Sequence, residues 1–256
     1  MQNLNIGLLQ FDQAWEDKSL NYQKIRALLS SDVKLDLLLL PEMFNTGFSM
    51  NTCQGESMEN SEGINFLKKL SSELNCAIFT SLIISEEKKH FNRGVFIDTN
   101  QNIQLYDKRK TFGLAGEDKV FTSGETPTFV EFKGWRIILQ ICYDLRFPEL
   151  TANRMFPDGS SKFDMILYVA NWPEKRQEHW NTLLKARAIE NQSFVIACNR
   201  VGIDFNNITY SGGSCVINAV GTVMSKESSK EELILTTIDK SDLNEIRDQL
   251  PFLKDR

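Results

Sequence analysis

Apolar residues fall along this chain in short blocks of two periods, one suited to strands and one to helices. Continuous or alternating blocks rich in Leu, Ile, Val and Phe predict strands over 4–11, 35–40 and 76–84. A hairpin follows, pairing 91–98 with 103–106 across the polar turn at 99–102. Further strands are predicted over 129–132, 135–141, 164–170, 194–198, 214–218 and 233–238. The block at 35–40 is nearly all apolar, as expected of a strand covered on both faces, and Pro41 stops it.

Helical spacing appears between these blocks. Tyr22, Ile25, Leu28 and Leu29 mark a helix over 19–29, and Ile64, Phe66, Leu67 and Leu70 mark one over 61–74. Trp180, Leu183, Leu184, Ala188 and Ile189 define the most regular helix, 177–191. A short helix is predicted over 148–155, and a last one over 239–250, entered through acidic residues and stopped by Pro251. The tail 251–256 is expected to fray or to dock on a partner subunit. Strands alternating with helices and mixed with hairpins predict an α/β class with a mixed sheet. Ten or eleven strands are too many for one open twisted sheet, which suggests two packed sheets. The 256 residues suit one domain spanning 1–256.

Composition narrows the function. The 34 acidic and 29 basic side chains are interspersed and sum to −5, so no basic stripe exists to attract nucleic acid. No apolar run reaches the roughly 20 residues needed to cross a bilayer, and the amino terminus lacks a basic region and signal core. Cys53, Cys76, Cys142, Cys198 and Cys215 form an odd set without Cys-x-x-Cys spacing, unlike a disulfide framework or a zinc site. Reduced thiols and a cytoplasmic location are expected. Glycine-rich phosphate loops and metal-binding helix motifs are absent, so neither a metal nor an organic cofactor is implied.

Three residues just past predicted strands are candidates for chemistry: Glu42, Lys108 and Cys142. Ligands in α/β folds gather at strand ends. Cys142 sits where a strand meets Pro148, Glu149 and Leu150, residues suited to a helix start, and free amides there are expected to lower a thiol's pKa. A cysteine nucleophile commonly uses a histidine base, yet only His90 and His179 exist. His90 follows a charged run that reads as an exposed turn, while His179, on the long helix, keeps a Cys-His pair open. Without one, a carboxylate must take the thiol proton and a cation must balance the charge, roles that suit Glu42 and Lys108. The segment 113–127, punctuated by Gly113, Gly116, Gly124 and Pro127, reads as an irregular functional loop.

Leu40-Pro41-Glu42, Tyr106-Asp107-Lys108-Arg109 and Cys142-Tyr143-Asp144-Leu145-Arg146-Phe147-Pro148-Glu149 resemble, in order, the three signatures of the nitrilase superfamily. The resemblance implies a four-layer α-β-β-α sandwich with two mixed β-sheets and association into homodimers or larger assemblies. It also implies Glu42 as general base, Lys108 as stabiliser of the tetrahedral intermediate and Cys142 as nucleophile. Tyr143 would lend its backbone N–H to the oxyanion hole, and Glu117 would act as a supporting second glutamate. Two departures stand out: Lys110-Thr111-Phe112 where His-Leu-Phe is frequent, and Gly212-Gly213-Ser214 where Gly-Asp-Ser is frequent. The first is expected to alter a pocket wall, the second a structural hydrogen bond.

Within the superfamily, Pro41 to Met50 and Asn171-Trp172-Pro173 most resemble the omega-amidase branch, which hydrolyses 2-oxoglutaramate, 2-oxosuccinamate or related 2-oxo acid amides. Such substrates carry a carboxylate, for which Arg176 and Lys175 are the candidate ligands. Phe44, Phe48, Phe112 and Trp172 are expected to wall the pocket. The alternatives are a nitrile, N-carbamoyl or aliphatic amide hydrolase, a silent binding subunit, and a redox-sensing cysteine protein.

Overall fold

The computed structural model describes residues 2–30 and 33–256. The first half of the chain forms β1 (Asn3–Gln10), α1 (Lys18–Leu28), β2 (Leu37–Leu39), α2 (Glu62–Leu74), β3 (Ala77–Glu86), β4 (Lys89–Ile97) and β5 (Ile103–Asp107). The second forms β6 (Phe129–Phe132), β7 (Trp135–Ile141), β8 (Met165–Ala170), α3 (Gln177–Asn191) and β9 (Phe194–Asn199). It continues with β10 (Val201–Ile203), β11 (Thr209–Ser211), β12 (Cys215–Ile217), β13 (Glu232–Asp239) and α4 (Lys240–Gln249).

Two mixed sheets carry the fold. One has strand order β13-β1-β2-β3-β4-β5, with β1, β2 and β3 parallel and the remaining neighbours antiparallel. The other runs β12-β9-β8-β7-β6, with β7, β8 and β9 parallel at its centre. Alternation along β1 and β2 explains why they stack. Leu4, Ile6, Leu8, Leu37 and Leu39 point into the core shared with the second sheet, whereas Leu9, Leu38 and Leu40 meet Tyr22, Ile25, Ile64 and Leu67 of α1 and α2. On the far side, Trp180, Leu184 and Ala188 of α3 and Leu243 of α4 pack on the second sheet. The order is therefore helix, sheet, sheet, helix, the sandwich that the family resemblance implies. Asp17, Ser61 and Asp239 cap α1, α2 and α4 by accepting amide hydrogens, which fixes where each helix begins.

Several expectations change. The segment after Pro148 is a single 3₁₀ turn, Pro148–Thr151, because the chain returns at once toward β8. Ile189 is half exposed on α3 rather than part of its buried stripe. His90 is not in a turn: it lies on β4, half-buried, with Nδ1 2.7 Å from Ser85 Oγ. The tail packs on its own chain rather than fraying, since Leu253 is buried and Gln192 bonds Leu250 and Leu253. The hairpin of β10 and β11 was not predicted, because Val201-Gly202-Ile203 is interrupted by glycine and Thr209-Tyr210-Ser211 is largely polar, so neither forms an apolar block.

Candidate active site

Three strand ends converge on one buried cluster. Glu42 follows β2, Lys108 follows β5, and Cys142 follows β7; Glu42 is fully buried, Lys108 is 1% exposed and Cys142 8%. The 113–127 loop brings in the fourth member, folding through two 3₁₀ turns, Gly113–Ala115 and Glu117–Lys119, that tuck Glu117 beneath the lysine. Lys108 Nζ donates to Glu42 Oε1 at 2.8 Å and to Glu117 Oε2 at 2.8 Å. Asn92 Nδ2 bridges the same carboxylates, 2.7 Å from Glu42 Oε1 and 3.0 Å from Glu117 Oε1. The N–H groups of Asn171 and Phe112 complete the cradle, donating to Glu42 Oε2 and Glu117 Oε2 respectively. Such dense donation holds both carboxylates in place as hydrogen-bond acceptors.

Cys142 has φ +44°, a left-handed conformation unfavourable for a residue with a side chain. Asp144 holds that turn in place. Its carboxyl accepts the Ile141 N–H at 3.0 Å, the Lys110 N–H at 2.9 Å and the Tyr106 hydroxyl at 2.8 Å. The residues 142–146 form a 3₁₀ turn rather than an α-helix, and the Tyr143 N–H lies in its first turn, where amides lack intrahelical acceptors.

A carbon–nitrogen hydrolase family model matches residues 5–248. The chain belongs to the carbon–nitrogen hydrolase family. Omega-amidase YafV of Yersinia enterocolitica is 37% identical over 256 residues, covering 100% of this chain and 97% of that one. A 2-oxoglutaramate amidase of Bacillus subtilis is 31% identical, over 98% of this chain and 96% of its own length. Among solved structures, XC1258 of Xanthomonas campestris, a CN-hydrolase superfamily protein with an arsenic adduct in its active site, superposes with a TM-score of 0.95. It is 38% identical and covers 100% of this chain and 98% of that one.

In this carbon–nitrogen hydrolase, the thiol departs from the sequence expectation. Burial pushes Cys142 well above the usual thiol range, Glu42 and Glu117 add to the rise, and only Lys108 opposes it. Helix-start amides cannot reverse this, because the thiol is desolvated beside two carboxylates. The resting nucleophile is therefore a neutral thiol, its Sγ 3.9 Å from the Asn171 carbonyl oxygen, and its proton must leave as the new bond forms. Lys108 behaves oppositely. Burial alone would lower it, but Glu117 and Glu42 raise it above its ordinary value, so it stays charged.

Cys142 lies at the base of a cavity of about 870 Å³. Phe48, Phe112, Trp172 and Arg176 line it, and so does the Tyr143 side chain, a residue expected to act only through its backbone N–H; Phe48 also lies under Lys108, with Nζ 5.2 Å from its ring centroid. Phe44 does not. Its ring is fully buried on the opposite side of the first sheet, packed near Tyr22 and Phe66, because the chain after β2 turns it toward the helices. Lys175 is exposed and outside the cavity, and Lys110 extends over Phe147 toward Glu149 rather than into the pocket wall. The Gly213 departure leaves Ser214 bonded to Gln10 and Asn199, while the Gln177 amide fills the space a Cβ at 213 would need. His179 is exposed and bonds Arg146 through Nδ1 at 3.2 Å, so it is not the partner of Cys142.

Arg146 is the residue that the sequence reading missed. Four positions after the nucleophile, its guanidinium sits 4.7 Å over the Trp172 ring and lines the same cavity as Arg176, which lies over Phe112 at 5.3 Å. Burial and then Arg176 draw Arg146 below its ordinary value. Neither guanidinium has a carboxylate within ion-pair distance among the described residues, although Glu16 and Asp204 line the same cavity. Asn92 was missed as an ordinary strand residue, and Asn171, noted only within Asn171-Trp172-Pro173, was assigned no role; both orient Glu42.

Asp144 supplies a pH test. Burial raises its carboxyl from the ordinary 3.8 to about 6, against the bonds it accepts. Between those values the folded protein keeps a proton that the unfolded chain has released, so this group destabilises the fold as pH rises from 4 to 6. The effect is about 3 kcal/mol at most, at 1.4 kcal/mol per pH unit. Thermal melts of the wild type and Asp144→Asn should therefore show a wild-type advantage largest at pH 4 that shrinks by pH 7. A difference that stays flat or grows with pH contradicts this assignment.

Proposed function

We propose that this protein is an omega-amidase that hydrolyses the terminal amide of a small 2-oxo acid amide, of the 2-oxoglutaramate or 2-oxosuccinamate type, to the acid and ammonia. The observation that carries the substrate is the pair Arg146 and Arg176, which line the cavity with Cys142 and have no carboxylate within ion-pair distance. Two guanidinium forks suit a carboxylate and its neighbouring 2-oxo group. Relatives named omega-amidase and 2-oxoglutaramate amidase support the same reading.

In this mechanism Glu42 takes the thiol proton as Cys142 Sγ attacks the amide carbon. Lys108 and the Tyr143 N–H stabilise the oxyanion, interactions of a type whose loss typically costs about 10²–10³ in rate. Glu42 returns the proton to the leaving ammonia, then activates water to cleave the thioester. Glu117 holds Lys108 in position. Side chains and water suffice for every step, so no metal or organic cofactor is required. The chain acts as one domain, 1–256, with a homodimer or larger homo-oligomer as the working form. Its five unpaired cysteines support a reducing, cytoplasmic setting, and no described helix is long and apolar enough to cross a membrane.

Ammonia release across 2-oxo acid amides, aliphatic amides, N-carbamoyl compounds and nitriles tests the reading. Activity confined to the last three classes would overturn it. Arg146→Leu and Arg176→Leu should each raise KM for 2-oxoglutaramate about tenfold or more, since a charge-assisted bond is worth about 1.5–3 kcal/mol. Equal effects on a neutral aliphatic amide would remove the carboxylate role.

A further inference from the structure

The chain has two histidines, and the chemistry at Cys142 leaves His179 unused. It is the third residue of α3, exposed, and outside the cavity. Its neighbour Trp180 anchors that turn of the helix: the indole is fully buried, donates to the Gly213 carbonyl at 2.8 Å and packs on Trp172 with ring centroids 5.4 Å apart. With Trp180 turned into the core, His179 reaches the turn 142–146, where its Nδ1 lies 3.2 Å from Nη2 of Arg146.

A guanidinium has donors and no acceptor, so Arg146 must donate and Nδ1 must carry the lone pair, with the ring hydrogen on Nε2. Among the described residues this is the single hydrogen bond of the Arg146 side chain. Its other neighbours are aromatic faces, Trp172 at 4.7 Å and Tyr143 at 6.0 Å from the guanidinium carbon. Burial and the charge of Arg176 both act against the cation, and no carboxylate lies within ion-pair distance to hold it. Ring faces attract a guanidinium without setting the direction of its donors, whereas a hydrogen bond sets it. Arg146 therefore meets a substrate carboxylate with one nitrogen already anchored, and a long flexible side chain is ordered before binding rather than by it.

We infer that His179 is a positioning residue, which holds the Arg146 guanidinium in the cavity by accepting its hydrogen at Nδ1 and so strengthens binding of the substrate carboxylate. This rests on the omega-amidase reading above and assigns part of that substrate's binding to a residue outside the cavity. The bond reaches no reacting atom. Its loss weakens binding of substrate and transition state alike and leaves kcat in place.

Steady-state kinetics on 2-oxoglutaramate test this with His179→Leu, His179→Asn, Arg146→Leu and the double variant of His179→Leu with Arg146→Leu. Position 179 is exposed, so these substitutions keep the fold, which circular dichroism checks. His179→Leu should raise KM about tenfold, the scale of one charge-assisted hydrogen bond, with kcat within about twofold of wild type. Asparagine carries its Oδ1 where histidine has Nδ1, so His179→Asn should keep KM within about threefold of wild type. In the Arg146→Leu background, His179→Leu should change KM by less than about twofold, since the ring has nothing left to hold. An unchanged KM in His179→Leu, an asparagine variant as impaired as the leucine one, or the full loss added on top of Arg146→Leu each overturns the inference. With Arg146→Leu still raising KM, the omega-amidase reading then stands. Arg146→Leu with a wild-type KM for 2-oxoglutaramate removes the carboxylate role of Arg146 and this inference with it.

Discussion

Cys142→Ala is expected to lower amidase turnover by about 10⁴-fold or more while leaving the fold and substrate binding intact. The size follows from the role: a nucleophile that forms the covalent intermediate has no substitute nearby, and removal of such a group in cysteine- or serine-type hydrolases abolishes nearly all catalysis above the background of binding and oxyanion stabilisation. No other thiol lines the cavity, and His179 lies outside it. The side chain is 8% exposed and small, so its loss costs little packing. Turnover measured by ammonia release, with circular dichroism to establish folding, checks the outcome. Wild-type turnover in the alanine variant would end the covalent mechanism.

Lys108→Met carries the second large effect, and it divides between stability and rate. The ammonium bonds two fully buried carboxylates, Glu42 and Glu117, each at 2.8 Å. Removing it leaves like charges facing one another without water, a change that typically costs about 3–5 kcal/mol. Turnover should fall about 10³-fold as well, because the same ammonium offsets the oxyanion. The double variant Lys108→Met with Glu117→Gln separates the two. It should recover much of the lost stability in urea titrations, since one stranded charge is gone, yet recover none of the turnover. Recovery of both, or of neither, would show that Lys108 has one role instead of two.

How much of this was legible in the sequence depended on what kind of order each residue obeys. The strands before Glu42, Lys108 and Cys142 have readable periods, so the placement of all three at strand ends followed from pattern alone. The two-sheet layering followed from strand number. Phe44 was misplaced because the turn after Pro41 has no period that reveals which side of the sheet a ring will meet. Arg146 was visible only as part of a motif; its function comes from a 3₁₀ turn that returns the fourth residue to the cavity, a geometry no spacing rule predicted. The raised thiol of Cys142 reflects burial beside Glu42, a property of the assembled sandwich and of no single segment. Asn92 and Asn171 belong to the same class, since their importance lies in bonds to a carboxylate 50 and 129 positions away in the chain.

The covalent step can be seen directly. Wild-type protein mixed with 2-oxoglutaramate, quenched in acid within the first turnovers and digested, should yield a Cys142 peptide heavier by the acyl group of the substrate. The adduct should be absent from Cys142→Ala. Rapid ammonia release with no acyl adduct on Cys142, or with the adduct on another residue, would contradict a thioester mechanism built on Glu42, Lys108 and Cys142.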